Sequence, residues 1–242
     1  MIGKTDALDE VSAALLDAQR KAEELFAAVV DTRILVPGKL ETEVSDEIHA
    51  LAQARFGVRR HWHKRIARSG PHSMLPYYDD VPEDRRLTGD DVVYLDFGPV
   101  FEAWEADFGR TYAIGPDPIK HKLVRDIEVA FRHGKEYFQQ HHDLTCGELY
   151  DYVVRLAGAA GWEFGNNTAG HLVGHFPHET APGEPKPLSI RHGNPLRLRE
   201  PDAKGAQRHW ILEIHFIDRQ RQIGGFFEEL LTLTNHEFLT TP

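Results

Sequence analysis

VVYLDFGPVFEAWEADFGRTYA, residues 92–113, is the stretch whose reading decides the fold. Val92, Val93, Tyr94 and Leu95 form an apolar, β-favouring run that ends on Asp96, and Phe97-Gly98-Pro99 punctuates it. A second β-rich run, Val100 to Tyr112, carries Asp107. A carboxylate at the end of a strand that otherwise wants burial is costly unless something compensates its charge. Two of them, eleven residues apart on consecutive strands, can face one point in space, where a cation is the natural partner. Taken singly, each has an ordinary reading, because most carboxylates sit at the surface. Asp96 would cap a turn and Asp107 would pair with Arg110.

The rest of the chain shifts that balance. At 242 residues it reaches the upper range of single domains, and 41% apolar content supports a full core. A net charge of −10 disfavours nucleic acid or an anionic membrane as partner. No apolar run approaches the ~20 residues of a membrane helix. The first ten residues lack a signal-peptide layout. Cys146 is the only cysteine, so no internal disulfide forms, which suits a reducing, cytoplasmic setting. Fifteen histidines direct a search for metal ligands.

Helical periodicity runs over residues 7–30, with Leu15, Leu16, Leu25 and Phe26 among the apolar positions. It recurs over 41–56, where Gly57 is a stop signal, over 117–140, and over 148–160. Residues 59–68, RRHWHKRIAR, look like a basic patch but are read as a strand with a solvated basic face. Helix, break, helix, strand thus occurs twice, from about 7 to 68 and from about 119 to 172. Glu43-Val44 and Ile48 line up with Glu148-Leu149 and Val153, and Gly57 with Gly161. Such a duplication implies pseudo-two-fold halves with a site between them. Residues 180–207 are polar and without period, and are read as a surface excursion. Residues 208–218 and 224–234 close the chain as strands, with Glu213 and Glu228 among apolar neighbours.

Asp96, Asp107, Glu213 and Glu228 therefore all lie in apolar strands, and the Gly-flanked His171 adds an imidazole. One such acid is an ion pair or an accident. Four on separate strands are hard to neutralise with basic residues that lie mostly elsewhere, whereas a pair of divalent cations would do it. Carboxylates with one imidazole suit Mn, Co, Fe or Zn rather than a thiolate-type structural zinc. The chemistry implied is metal-assisted hydrolysis of an acyl bond.

The ordered set resembles the methionine aminopeptidase, aminopeptidase P and prolidase family, which has the pita-bread fold. The resemblance rests on Asp96, Gly98, Asp107 and Arg110-Thr111, then on Gly170-His171-Leu172-Val173-Gly174 followed by His178-Glu179. It continues with Glu213 in an apolar strand, and with Glu228-Glu229 running to Leu233-Thr234. It covers nearly the whole chain. It implies an α+β fold with duplicated helix–strand halves around a curved antiparallel sheet, and one catalytic domain over 1–242. By the same resemblance, Asp96, Asp107, His171, Glu213 and Glu228 are the metal ligands. Asp107 and Glu228 bridge two ions, Asp96 completes one, and His171 with Glu213 completes the other. Glu213 also shuttles a proton, and His178 steadies the tetrahedral intermediate.

Two departures bear on specificity. Family members carry a His after the Pro of the loop before the central strands, and here Tyr77 follows Pro76. Tyrosine is a poor proton carrier near neutrality, with a pKa of roughly 10, and His72, nearby in sequence, is a candidate substitute. His215 alternates with Glu213 and shares its strand face. His72, Tyr77 and His215 are accordingly the expected substrate-facing residues. The expected activity is that of a methionine- or Xaa-Pro-type metallo-aminopeptidase, with water activated by metal attacking an amide carbonyl of a small peptide; a homodimer is a candidate assembly. The alternative is a metal-dependent hydrolase, lyase or oxidative enzyme for a small non-peptide molecule, which Tyr77 and His215 favour. A pseudoenzyme is a third reading, opposed by all five ligand positions being filled.

Overall fold

The structure is a computed structural model that describes residues 9–177 and 188–233. Two helices open it, α1 (Glu10–Asp31) and α2 (Glu41–Phe56). They lead to β1 (Ile66–Ser69), a 3₁₀ turn over Gly70–Met74, and β2 (Asp91–Phe97). A small hairpin follows, β3 (Val100–Phe101) and β4 (Trp104–Glu105), and then β5 (Phe108–Ile114). The second half repeats the plan with α3 (Pro118–Gln140), α4 (Cys146–Ala160), β6 (Glu163–Phe164), β7 (Ile211–Asp218) and β8 (Ile223–Leu230). The main sheet has the order β1-β2-β5-β8-β7-β6, with every neighbouring pair antiparallel. Reading that order from either end gives the same sequence of equivalents, so the pseudo-two-fold passes between β5 and β8.

The repeat holds residue by residue. Both second helices end on a left-handed glycine, Gly57 at φ 68° and Gly161 at φ 86°, a conformation that costs glycine little. Both begin with a Glu that reaches back to a backbone N–H. Leu40 N–H donates to Glu43 at 2.7 Å, and Thr145 N–H donates to Glu148 at 2.9 Å. Val44 and Ile48 are buried on one side, and Leu149 and Val153 on the other. Each half has its own core. Phe26, Ile48, Val93, Leu95, Phe97 and Phe108 cluster under α1 and α2, whereas Phe131, Leu149, Leu212, Ile214, Phe216 and Phe227 cluster under α3 and α4.

Those core residues alternate along the strands with residues of the opposite face. The main departures from the sequence reading lie in the loops. Residues 100–112 are not one strand. Glu102 takes a left-handed φ of 59°, the chain folds back as β3–β4, and Asp107 stands just before β5. The basic run is a strand only from Ile66. Its Arg68 is buried rather than solvated. No described helix is long and apolar enough to cross a membrane.

Residues 169–173 run beside the start of β7. Glu213 N–H donates to Ala169 O at 3.0 Å and Ile211 N–H to His171 O at 2.8 Å. Gly170 sits between them at φ 136°, where a Cβ would lie 2.0 Å from the carbonyl oxygen of Ile211. Gly158, near the end of α4, has open space around it. Gly170→Ala is therefore expected to destabilise by about 3 kcal/mol or more, and Gly158→Ala to stabilise by about 0.5 kcal/mol. Urea unfolding of the two variants, with opposite shifts in midpoint, checks this.

Candidate metal centre

One row of the sheet builds the site. Ile66, Asp96, Gly109, Glu228 and Glu213 face one another in register across β1, β2, β5, β8 and β7. Residues directly opposite in a ladder point to the same face, so three carboxylates from three strands share one side. Asp107, two residues before Gly109, falls on that side too. Gly109 is the gap in the middle of the row. A Cβ there would come within 2.5 Å of the Phe226 ring. All four acids are buried, and their side chains converge with two histidines.

The contacts are short. His171 Nε2 lies 3.1 Å from Asp107 Oδ2 and 3.3 Å from Glu213 Oε1. His63 Nε2 lies 3.1 Å from Asp107 Oδ1 and 3.5 Å from Asp96 Oδ1. Two three-residue groups, His63–Asp96–Asp107 and Asp107–His171–Glu228, each bring one donor atom per residue within 4.8 Å of one another. Arg110 does not neutralise Asp107. It pairs with Glu229 at 2.5 Å and lies over the Phe108 and Phe227 rings, 3.8 Å from each centroid. Among the described residues, the ion-pair partners of the four acids are these two histidines.

Two imidazoles do not satisfy four carboxylates. Asp96 Oδ1 and Glu228 Oε2 are buried without a hydrogen-bond partner, a costly condition for a carboxylate oxygen. Burial, together with the neighbouring acids and against the pull of His63, holds Asp96 up at about 7. Burial also raises Glu213 and, reinforced by Asp107 and Asp96, raises Glu228 well above the usual range. Burial works the same way on Asp107 but is overcome by His63 and by the hydrogen bonds from both histidines, which hold it low. Burial opposes the charge on His171, yet the hydrogen bond to Asp107 and the charge of Glu213 lift it to about 10. A centre in which one acid is ionised and its neighbours are forced toward neutrality is one that a divalent ion would reset. Oxygen donors with imidazole nitrogen, and no thiolate, fit a borderline transition ion.

Residues 13–203 match the model of metallopeptidase family M24. The chain belongs to that family. It is 28% identical over 146 residues to the Xaa-Pro dipeptidase of Pyrococcus horikoshii, a match covering 60% of this chain and 40% of that protein. It is 25% identical over 202 residues to methionine aminopeptidase A of Synechocystis, covering 79% and 77% of the two. The prolidase structure from Pyrococcus furiosus superposes with a TM-score of 0.71 at 20% identity, over 95% of this chain and 65% of that one. The architecture is thus the pita-bread fold of the M24 proteins.

A cavity of about 380 Å³ opens above the acids of this M24 member. Trp62, Tyr77, Tyr78, Tyr94 and Phe226 form its aromatic walls, and Asn166, Thr168 and Ser189 its polar edge. Tyr77 and His215 line it. His215 donates from Nε2 to Ser73 O at 2.9 Å, and burial pushes it down to about 4, so its ring is neutral at pH 7. His72 does not line the cavity. Its Nδ1 contacts Glu41 at 2.8 Å in a buried pair below β1, because the 3₁₀ turn points the ring toward α2. His178 and Glu179 lie outside the described residues.

The residue that sequence reasoning missed is His63. It was absorbed into a supposedly solvated basic strand, yet Trp62 between two histidines was a signal, since a solvated face has no use for an indole. Of the aromatic wall, Trp62, Tyr78, Tyr94 and Phe226 were missed too. Its loop is fixed by Arg68, whose guanidinium donates to Leu75 O at 2.6 Å, Pro76 O at 2.8 Å and Asp79 O at 2.5 Å, and to Tyr94 Oη at 3.1 Å. A lysine cannot reproduce that fork. Arg68→Lys is expected to lower stability by about 2 kcal/mol and to make the bond after residue 77 an early site of limited proteolysis.

Ion uptake has a pH signature. At pH 7, His171 holds a proton that a metal ion must displace, and Asp96, held up at about 7, is protonated about half of the time. Affinity for a divalent ion should rise with pH, and binding should release protons. Calorimetry in buffers of different ionisation enthalpy would report that release as a buffer-dependent heat. Identical heats in all buffers would count against it.

Proposed function

We propose that this M24 chain is a metal-dependent aminopeptidase-like hydrolase that removes N-terminal residues from short peptides. One observation carries the reading: four buried carboxylates line one cavity, with two oxygens left unsatisfied. Asp96, Asp107, His171, Glu213 and Glu228 are the proposed ligands of two ions of the Mn, Co, Fe or Zn class. Asp107 suits a bridging role because its two oxygens face different histidines, Oδ1 toward His63 and Oδ2 toward His171. Bound there, divalent ions would supply Lewis acidity to a carbonyl and a lowered pKa to water.

The chain's own residues do the rest. Glu213 is the group proposed to hold the proton and pass it to the leaving amine, a role supported by the upward shift that burial gives it and by its contact with His171 at 3.3 Å. The aromatic walls exclude water around the scissile bond and accept an apolar side chain. The names of the relatives, Xaa-Pro dipeptidase and methionine aminopeptidase, support peptide substrates of one of these two types. The alternative of a non-peptide substrate is not favoured by the family match and these relatives.

Purified protein is expected to hold one to two divalent ions per chain and to cleave Met-x or x-Pro peptides in a panel that includes small amides. Asp107→Ala should lose both the metal, by elemental analysis, and the turnover. Undiminished peptide cleavage by Asp107→Ala would sink the scheme.

A further inference from the structure

We propose that His63 is a sixth metal ligand, completing the half of the centre built by Asp96 and Asp107 with an imidazole, as His171 completes the other half. The proposal rests on the metallohydrolase reading above and extends it to a residue outside the five-ligand pattern. Its basis is a parallel between the two histidines. His171 Nδ1 lies 2.7 Å from the carbonyl oxygen of the next residue, Leu172, and His63 Nδ1 lies 2.7 Å from that of its own next residue, Lys64. In each ring Nδ1–H donates to that carbonyl, so Nε2 is the atom aimed at the acids and the one that offers a lone pair to an ion once its own proton is displaced. Each Nε2 then stands 3.1 Å from a different oxygen of Asp107. Asp107 thus has one imidazole at each of its two oxygens.

The placement of His63 is built rather than incidental. Its side chain is 6% exposed. Residues 60–62 are strapped to 98–100, with Trp62 N–H donating to Gly98 O at 2.9 Å and Val100 N–H to Arg60 O at 3.1 Å. The Trp62 indole donates to Ala106 O at 3.1 Å, immediately before Asp107. Gly98 leaves the room for this packing, since a Cβ there would lie 2.3 Å from the His63 ring and 2.4 Å from the Trp62 indole. Tyr77 closes the other side, its ring edge-on to His63 with centroids 5.7 Å apart. The Asp96 oxygen nearest His63, Oδ1, is the one left without a hydrogen bond. An ion seated between that oxygen, Asp107 Oδ1 and His63 Nε2 would satisfy all three.

The test uses full-length protein loaded with Co(II). In the wild type, proton NMR should show two exchangeable, hyperfine-shifted ring N–H signals, one from each Nδ1–H. His171→Ala and His63→Ala should each remove one. His63→Ala and the closer mimic His63→Gln should weaken one ion by about tenfold or more in calorimetric titration, with the other little changed. A single shifted signal in the wild type, or two unaltered affinities in both His63 variants, overturns the proposal while leaving the five-ligand centre standing. Absence of any metal uptake by the wild type overturns both.

Discussion

Negative charge in a dry place is the constraint from which the rest of this structure follows. A register row of an apolar sheet carries Asp96, Glu228 and Glu213, with Asp107 beside it, and nothing in the sheet itself offsets them. Histidines arrive from two loops to meet these acids. A glycine occupies the centre of the row so that the side chains can converge over it. The aromatic walls then keep the surroundings poor in water, which strengthens every charge interaction within. Each of these devices makes sense only with the others.

The duplicated architecture explains why the acids can be gathered at all. Each half is a helix pair over three strands with a private core, and each half alone would leave one of its carboxylates, Asp107 before β5 or Glu228 on β8, at the edge of a small sheet. Joined at β5 and β8, those edges become the middle. The site is therefore a product of the pairing rather than of either half, in keeping with ligand sites that lie where repeated units meet.

Much of this was legible in the sequence because burial leaves a strong mark. Acids inside runs such as VVYLD and WILEI violate strand patterning, and that violation located the centre. The repeat was legible where capping chemistry recurs, at Glu43 with Glu148 and at Gly57 with Gly161. What failed to show was placement made by long-range straps. His63 reaches the acids because 60–62 pairs with 98–100, and no local pattern encodes a partner nearly forty residues away. His72 looked suitable by proximity along the chain, but its neighbour in space is Glu41 on a helix. Strand continuity was also misread across residues 100–112, since a two-residue hairpin carries the same β-favouring composition as a strand.

The junction between the halves is thinly sewn. β2 with β5 and β7 with β8 pair along their full lengths, but β5 meets β8 in one ladder pair, Gly109 with Glu228. Side chains make up part of the shortfall: Thr111 Oγ1 donates to Phe226 O at 2.8 Å and accepts from Phe226 N–H at 2.6 Å, while Arg110 reaches Glu228 O at 2.9 Å. The acids straddle that same line, Asp96 and Asp107 on one flank and Glu213 and Glu228 on the other. Whatever cation they grip becomes a rivet through the seam, so cohesion of the whole molecule and occupancy of its centre are one equilibrium seen from two sides.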